Sequence, residues 1–179
     1  MDLKETNIAL NKFAKYVIQQ ARTNLTKGGK NYQKDLYNSL DSDINVSPNS
    51  FSLDFLMEKY GVFQDRGVKG TESGRSLDGF RYKQSSNLRG VEYHTGTFAK
   101  WAKFRNIRLR NSKGQFAKGN YKTIGYIIAD SVKKKGIKPS LFFTKPFERA
   151  FDNLPEELIE AYALDVENLI QFSTKDNLI

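Results

Sequence analysis

The sequence contains no cysteine and a single histidine, His94, among its 179 residues. Without cysteine, disulfide bonds, iron–sulfur clusters and cysteine-based zinc sites are excluded. One imidazole also excludes a metal site of several histidines and makes a Ser-His-Asp triad difficult to build. We therefore expect no catalytic residue, no metal ligand and no cofactor, and we predict that the chain is not an enzyme.

Long apolar runs are absent as well. No stretch approaches the roughly 18 residues that a membrane-spanning helix needs. The opening segment, MDLKETNIAL, lacks the charged and then apolar layout of a secretion signal. These features predict a soluble protein with no membrane partner, made in a reducing compartment.

Apolar and basic residues are plentiful: 39% of the chain is hydrophobic, and the net charge is +9. That apolar content is typical of a chain with one substantial core rather than a disordered chain. Residues 61–138 carry 18 basic and 5 acidic side chains, whereas residues 147–179 carry 2 basic and 8 acidic ones. This opposition predicts contact between the two segments, within the fold or between copies, although a basic surface could equally face nucleic acid.

Apolar spacing predicts a long first helix over residues 3–25, which stops at Gly28-Gly29. Asp2 and Glu5 have the spacing of a capping box, in which each side chain accepts a hydrogen bond from a free backbone N–H. A hairpin follows, because polar and apolar residues alternate on both sides of the turn at Pro48-Asn49. The apolar positions of the hairpin are Ile44, Val46, Phe51, Leu53 and Phe55.

These elements predict an α+β fold, with one domain over residues 1–150 in which an antiparallel sheet packs against the first helix and further helices. Residues 71–96 are rich in glycine and serine and are predicted to form a long exposed loop, or alternatively a long hairpin, that orders against a partner. Thr97 is predicted to cap the next helix. Residues 151–179 are predicted to form an acidic helical arm. Its inward stripe would contain Leu158, Tyr162, Val166, Leu169 and Ile170.

Residues 103–122 hold seven basic side chains and no acidic one, with aromatic residues interleaved. We predict a small hairpin here, with its turn at residues 111–114. Cations neutralise phosphates and rings stack on bases, so the segment has a nucleic-acid-binding signature. The alternatives are a solvated hairpin or one that meets an acidic face of a neighbour. The candidate residues are Arg105, Arg108, Arg110 and Lys113.

A second basic run, Lys133-Lys134-Lys135, precedes Gly136 at the end of a predicted helix that begins after Asn120. The residues of that helix predicted to face inward are Tyr121, Ile124, Ile127/Ile128 and Val132. The lysines could contact phosphate, but cations also stabilise the negative end of a helix dipole, which is the simpler interpretation. Nearby, residues 67–71 hold two glycines but lack the spacing of a phosphate-binding P-loop.

The acidic candidates Glu156, Glu157 and Glu160 stand at the start of the last predicted helix. Acidic side chains in a first turn stabilise the positive end of the helix dipole, so a paired-carboxylate catalytic site is disfavoured. We instead consider these three residues as assembly residues that would meet a basic surface.

The order of these elements resembles that of a known family. A leading helix and the segment LYNSL at residues 36–40 precede the hairpin, which is followed by YGVFQDRGVKGT at residues 60–71. Further on stand WAKF at 101–104, KGQF at 113–116 and GIKPSLFF at 136–143. Taken in this order over about residues 5–150, the set resembles the head–tail connector and tail-completion (neck) proteins of tailed bacteriophages.

The resemblance implies a structural virion protein of the head–tail junction, made in the host cytoplasm. Such a subunit assembles as a homo-oligomeric ring, with six or twelve copies expected, between portal or adaptor and tail proteins, and DNA can pass through the ring. The alternative function is nucleic-acid binding through residues 103–122 and the lysine-rich helix end.

Overall fold

The structure, a computed structural model, describes residues 3–30, 32–47, 50–83 and 91–175. Helices and short antiparallel strands within these ranges confirm the predicted α+β class. In chain order the elements are α1 (Lys4–Lys27), α2 (Asp35–Ser39), β1 (Asp41–Ser47), β2 (Ser50–Leu56), α3 (Gly61–Arg66), β3 (Val68–Lys69), α4 (Val91–Phe104), α5 (Tyr121–Lys135), β4 (Gly136–Ile137), α6 (Thr144–Phe151) and α7 (Leu154–Lys175).

The chain groups into two compact units. The first, called here the split unit, contains Met1–Gly61 and Leu141–Ile179, and the second, called the inserted unit, contains Val62–Ser140. This grouping differs from the predicted division at residue 150, because α7 belongs to the same unit as α1. The split unit carries 11 basic and 15 acidic side chains, and the inserted unit carries 18 basic and 5 acidic ones.

Helix α1 supplies the centre of the split unit, as its apolar stripe predicts. Its buried side chains recur every three or four residues, and the helix ends at Lys27 before Gly28 and Gly29, where Gly29 has a φ of +63°. A glycine takes this left-handed conformation without steric cost. The stripe consists of Leu10, Phe13, Ala14, Val17, Ile18, Ala21 and Leu25.

Strands β1 and β2 form the predicted antiparallel hairpin, with a register running from Asp41 opposite Leu56 to Ser47 opposite Ser50. The turn residues predicted at 48 and 49 lie outside the described residues. Paired residues share a face, so the apolar positions of both strands lie on one side of the hairpin. Phe55, on that side, makes edge-to-face contacts at 5.1–6.1 Å between ring centroids. Its partners are Phe13, Phe143 and Phe147.

The beginning of α1 is capped from a distance rather than locally. The N-cap residue is Leu3, which makes no side-chain capping bond, and Asp2 lies outside the described residues. Instead, the Asp165 carboxylate of α7 accepts hydrogen bonds from the backbone N–H groups of Glu5 and Thr6, both at 2.9 Å. It also accepts one from Thr6 Oγ1 at 2.8 Å. The predicted capping box depends on Asp2 and therefore lies outside the described residues.

In the inserted unit, α4 and α5 pack as a helix pair, and β3 pairs with β4 through Val68 opposite Ile137. Helix α4 begins at Val91, six residues before the predicted cap at Thr97. The predicted loop over 71–96 is therefore partly helical. Its residues 71–83 are irregular, and residues 84–90 lie outside the described ranges.

Candidate interaction surfaces

The three lysines of residues 133–135 form the last turn of α5, directly before Gly136, which has a φ of +80°. The Lys134 Nζ atom lies 3.0 Å from a carboxylate oxygen of Asp130, one turn earlier. The hydrogen bond that Lys134 donates to this carboxylate raises the pKa of the lysine. This placement is the helix-end arrangement, in which cations face the negative end of the dipole.

The glycine-containing loop after β3 binds the end of α5. The N–H groups of Thr71, Glu72 and Ser73 donate to the carbonyl oxygens of Lys133 and Lys134, at 3.0–3.1 Å. Since these carbonyls have no partner within a helix, the loop satisfies them. The same N–H groups are consequently engaged, and the segment does not present them to a phosphate.

Glycine makes this close approach possible. A Cβ atom at Gly70 would lie 2.1 Å from the Lys134 carbonyl oxygen, and one at Gly74 would lie 2.2 Å from that of Lys135. Both distances are far below van der Waals contact. The glycines at residues 70 and 74 are therefore explained by capping of α5, without any ligand.

The predicted hairpin within residues 103–122 is present, and we call its residues 108–118 the basic hairpin. Arg110 pairs with Phe116, and the N–H of Ala117 donates to the Leu109 carbonyl oxygen at 3.0 Å. The turn is closed by Asn111, whose Oδ1 atom accepts hydrogen bonds from the N–H groups of Lys113 and Gln115, both at 3.0 Å. An asparagine that bonds to backbone two residues onward is a typical turn former.

One face of the basic hairpin carries its charge. Arg108 and Arg110 are two residues apart and lie on the same side of the strand, facing Phe116 on the opposite strand. Their guanidinium carbons lie 5.7 and 4.5 Å from the centroid of the Phe116 ring, within cation–π range. The ring is nonetheless 64% exposed. Lys113 is exposed in the turn.

Arg105 follows the last residue of α4, Phe104, whose side chain is 67% exposed. The Arg105 N–H donates to the Trp101 carbonyl oxygen at 2.9 Å, which closes the last turn of α4. Arg105 therefore belongs structurally to the end of α4, and it is not a member of the basic hairpin.

Helix α7 has three distinct faces. Its buried residues are Leu154, Ala161 and Asp165, which face the rest of the split unit. Although burial raises the pKa of Asp165, the hydrogen bonds from residues 4–6 lower it more, so that the pKa lies below its ordinary value of 3.8. The charged form of this carboxylate is therefore the one that the fold stabilises.

The second face of α7 is apolar and exposed, and we call it the α7 stripe. The prediction that Tyr162, Leu169 and Ile170 face inward is wrong, because these side chains are 41–57% exposed. The helix is rotated so that Asp165 occupies the inner face, a position that a hydrophobic pattern does not identify. The α7 stripe consists of Ile159, Tyr162, Val166, Leu169 and Ile170, of which Val166 is half-buried and the other four are exposed.

The third face of α7 carries acidic residues. Glu156, Glu160 and Glu167 are four and seven residues apart, so they lie on one side of the helix and are exposed. Glu157 points differently, because its carboxylate lies 3.7 Å from Lys12 Nζ in α1. Of the three predicted acidic assembly residues, Glu156 and Glu160 therefore share a face, and Glu157 lies apart from them.

Helix α5 exposes a smaller apolar patch. Tyr126 and Ile127 are 46% and 49% exposed, whereas Ile124 and Ala129 are buried. The prediction that Ile127 faces inward is therefore wrong. Lys122 is exposed one turn before this patch, so the patch has a basic edge.

The acidic side chains of the described residues do not gather into a metal site. Within ranges 3–30, 32–47, 50–83 and 91–175, no group of three or more His, Asp or Glu side chains could hold a metal ion. No helix in that part of the chain is long and apolar enough to cross a membrane. His94 lies in α4, and its side chain is outside the described residues. The chain matches no protein-family model, no curated protein and no solved structure.

Proposed function

We propose that this chain is a structural subunit of the head–tail junction of a tailed bacteriophage, and that it acts by assembly with copies of itself and with adjoining rings. The observation that carries the proposal is the α7 stripe. Ile159 is 70% exposed and Ile170 57% exposed, on a helix whose other face already fills the core. A continuous apolar stripe beside an acidic face is typical of a protein–protein interface.

The occupant we assign to the α7 stripe is the inserted unit of a second copy. That unit carries a net charge of +13, whereas the split unit carries −4. Its α5 helix offers Tyr126 and Ile127 as an apolar patch with Lys122 beside it. Glu156 and Glu160 would face such basic residues while the α7 stripe covers the patch.

A contact between two different surfaces of identical chains is heterologous, and it generates a closed ring when the rotation between copies closes. Apolar burial would supply most of the affinity, and the opposite charges would orient the encounter and speed it. High salt is therefore expected to slow assembly and weaken it, without abolishing the apolar contribution.

The experiment is a measurement of oligomer mass by sedimentation or mass photometry over a range of concentrations and salt. The substitution Ile159→Glu should raise the dissociation constant by roughly 10–100-fold, because it removes a side chain worth about 1.5–3 kcal/mol when buried. The matched control is Leu164→Glu. Leu164 is also exposed, at 51%, but it lies outside the α7 stripe.

The proposal predicts larger species for the wild type and for Leu164→Glu, and smaller ones for Ile159→Glu. Reversing charge with Glu156→Lys and Glu160→Lys should weaken assembly at low salt and make less difference at high salt. A mass that is unaffected by all of these changes would contradict the proposed contact. In assembled virions, the copy number should be a multiple of six.

A further inference from the structure

We propose that the basic hairpin is a binding face for single-stranded nucleic acid, a function that goes beyond self-assembly and does not depend on the α7 stripe. The face combines two arginines, one lysine and one exposed aromatic ring on a fixed backbone. The residues are Arg108, Arg110, Phe116 and Lys118.

The register of the hairpin brings these side chains together. Arg110 is directly paired with Phe116, and the Ala117 N–H bonds to the Leu109 carbonyl oxygen. In this register Lys118 lies opposite Arg108. Both therefore lie on the same face of the hairpin as Arg110. Leu109, on the other side, is half-buried and anchors the strand. The alternation of the strand therefore gathers its cations on one exposed face.

Side-chain hydrogen bonds within the hairpin also stabilise its turn without a ligand. The Arg110 Nη1 atom donates to the Gly114 carbonyl oxygen at 2.8 Å, and the Asn111 side chain fixes the turn through two further bonds. Gly114 has a φ of +76°, which suits glycine. Ordering before binding lowers the entropy cost of association.

The charges of this face are not neutralised by carboxylates. Within the described residues, Arg108, Arg110 and Lys118 form no salt bridge, and the sequence has no acidic residue between Glu92 and Asp130. Cations in this state can neutralise phosphates and release their counterions. The positive charge of this face is therefore available to bind the phosphates of a nucleic-acid backbone.

The aromatic ring indicates a single strand rather than a duplex. A 64% exposed phenylalanine gains most when it stacks on an unpaired base, and adjacent guanidinium planes stack on bases as well. A duplex hides its base faces and would use only the cations. A protein partner would bury the same ring, and the measurement of self-association described below distinguishes that occupant from a single strand.

The experiment is fluorescence anisotropy of the full chain with a labelled oligothymidylate and with a labelled duplex, at about 50 and 200 mM salt. The wild type should bind the single strand with a log–log salt slope of about −2, the value for three neutralised phosphates. Phe116→Leu should weaken single-strand binding by about tenfold and leave duplex binding unchanged. The double substitution Arg108→Gln and Arg110→Gln should reduce the magnitude of the slope by about 1.4.

Two controls separate the site from general basicity and from the assembly surface. Phe51→Leu changes another exposed phenylalanine, in β2, and Lys15→Gln changes an exposed cation in α1. Both should bind as the wild type does. Ile159→Glu should retain single-strand binding even where it prevents assembly, so the two proposals can fail separately.

Three outcomes would overturn the inference. One is the absence of binding by the wild type at low salt. Another is equal affinity of Phe116→Leu and wild type for the single strand. The third is that Arg110→Gln, with circular dichroism unchanged, abolishes self-association and leaves oligonucleotide binding intact, which would make the hairpin a protein interface.

Discussion

The interactions that stabilise the interior of the split unit differ from those that stabilise the interior of the inserted unit. Thirteen of the buried apolar side chains in the described residues belong to the split unit, and four, Val68, Ala102, Ile124 and Ala129, belong to the inserted unit. The split unit thus has an aromatic and aliphatic core, whereas the inserted unit depends more on backbone hydrogen bonds and glycine-dependent close approaches. In the strongly basic inserted unit, capping of the α5 end by the loop of residues 71–73 accompanies this smaller apolar core.

The largest expected effect comes from a substitution in the core of the split unit. Phe142 is 1% exposed, and Phe142→Ala should lower the free energy of unfolding by about 3–5 kcal/mol, because it removes buried area and leaves a cavity. Chemical denaturation followed by circular dichroism measures this change. Phe51→Ala, at a side chain 48% exposed, is the control and should cost much less. Equal losses would show that burial does not set the stability of this unit.

A smaller effect tests the backbone contacts of the inserted unit. Gly70→Ala would place a Cβ atom against the Lys134 carbonyl oxygen, so the loop that caps α5 must move, at a cost of about 1–3 kcal/mol. Gly96→Ala is the matched control, because Gly96 lies within α4 and a Cβ atom added there would meet no other atom within 4 Å. This control should stabilise the protein by up to about 1 kcal/mol. Thermal denaturation distinguishes the opposite signs.

The smallest of the three effects concerns the Asp165 cap. Asp165→Asn should cost about 1–2 kcal/mol at neutral pH, because it removes the charge and replaces one of two accepting oxygens with an NH₂ group that faces a backbone N–H donor. The folded pKa lies below the ordinary 3.8, so the contribution is fully present above 3.8 and is lost as pH falls from there through the folded pKa. The wild-type advantage over the variant should therefore disappear in acid. The exposed Asp152→Asn is the control, and a pH-independent difference would contradict this account.

Local signals predicted much of what the structure shows. The α1 stripe, the β1–β2 hairpin and the turn at Asn111–Gly114 depend on residues near each other in sequence, so periodicity and turn chemistry identified them. The start of α4 was placed too late, because residues 91–96 lack a strong apolar pattern. The inner face of α7 was only partly predicted: Leu158 packs against the core as expected, whereas Tyr162, Leu169 and Ile170 are exposed because the Asp165 carboxylate occupies a core position.

Composition and short-range spacing are enough to predict the α+β class, the long first helix and the concentration of positive charge in residues 61–138. Only the three-dimensional structure shows that α7 packs on α1 and that Asp165 accepts a hydrogen bond from the N–H of Glu5, 160 residues earlier in the chain. It alone also decided that Gly70 and Gly74 serve the end of α5 and that the α7 stripe faces outward. The contacts of Asp165, Gly70 and Gly74 join residues that are far apart in sequence, so no local sequence pattern identifies them. They form where the fold brings an unsatisfied backbone group close to a partner.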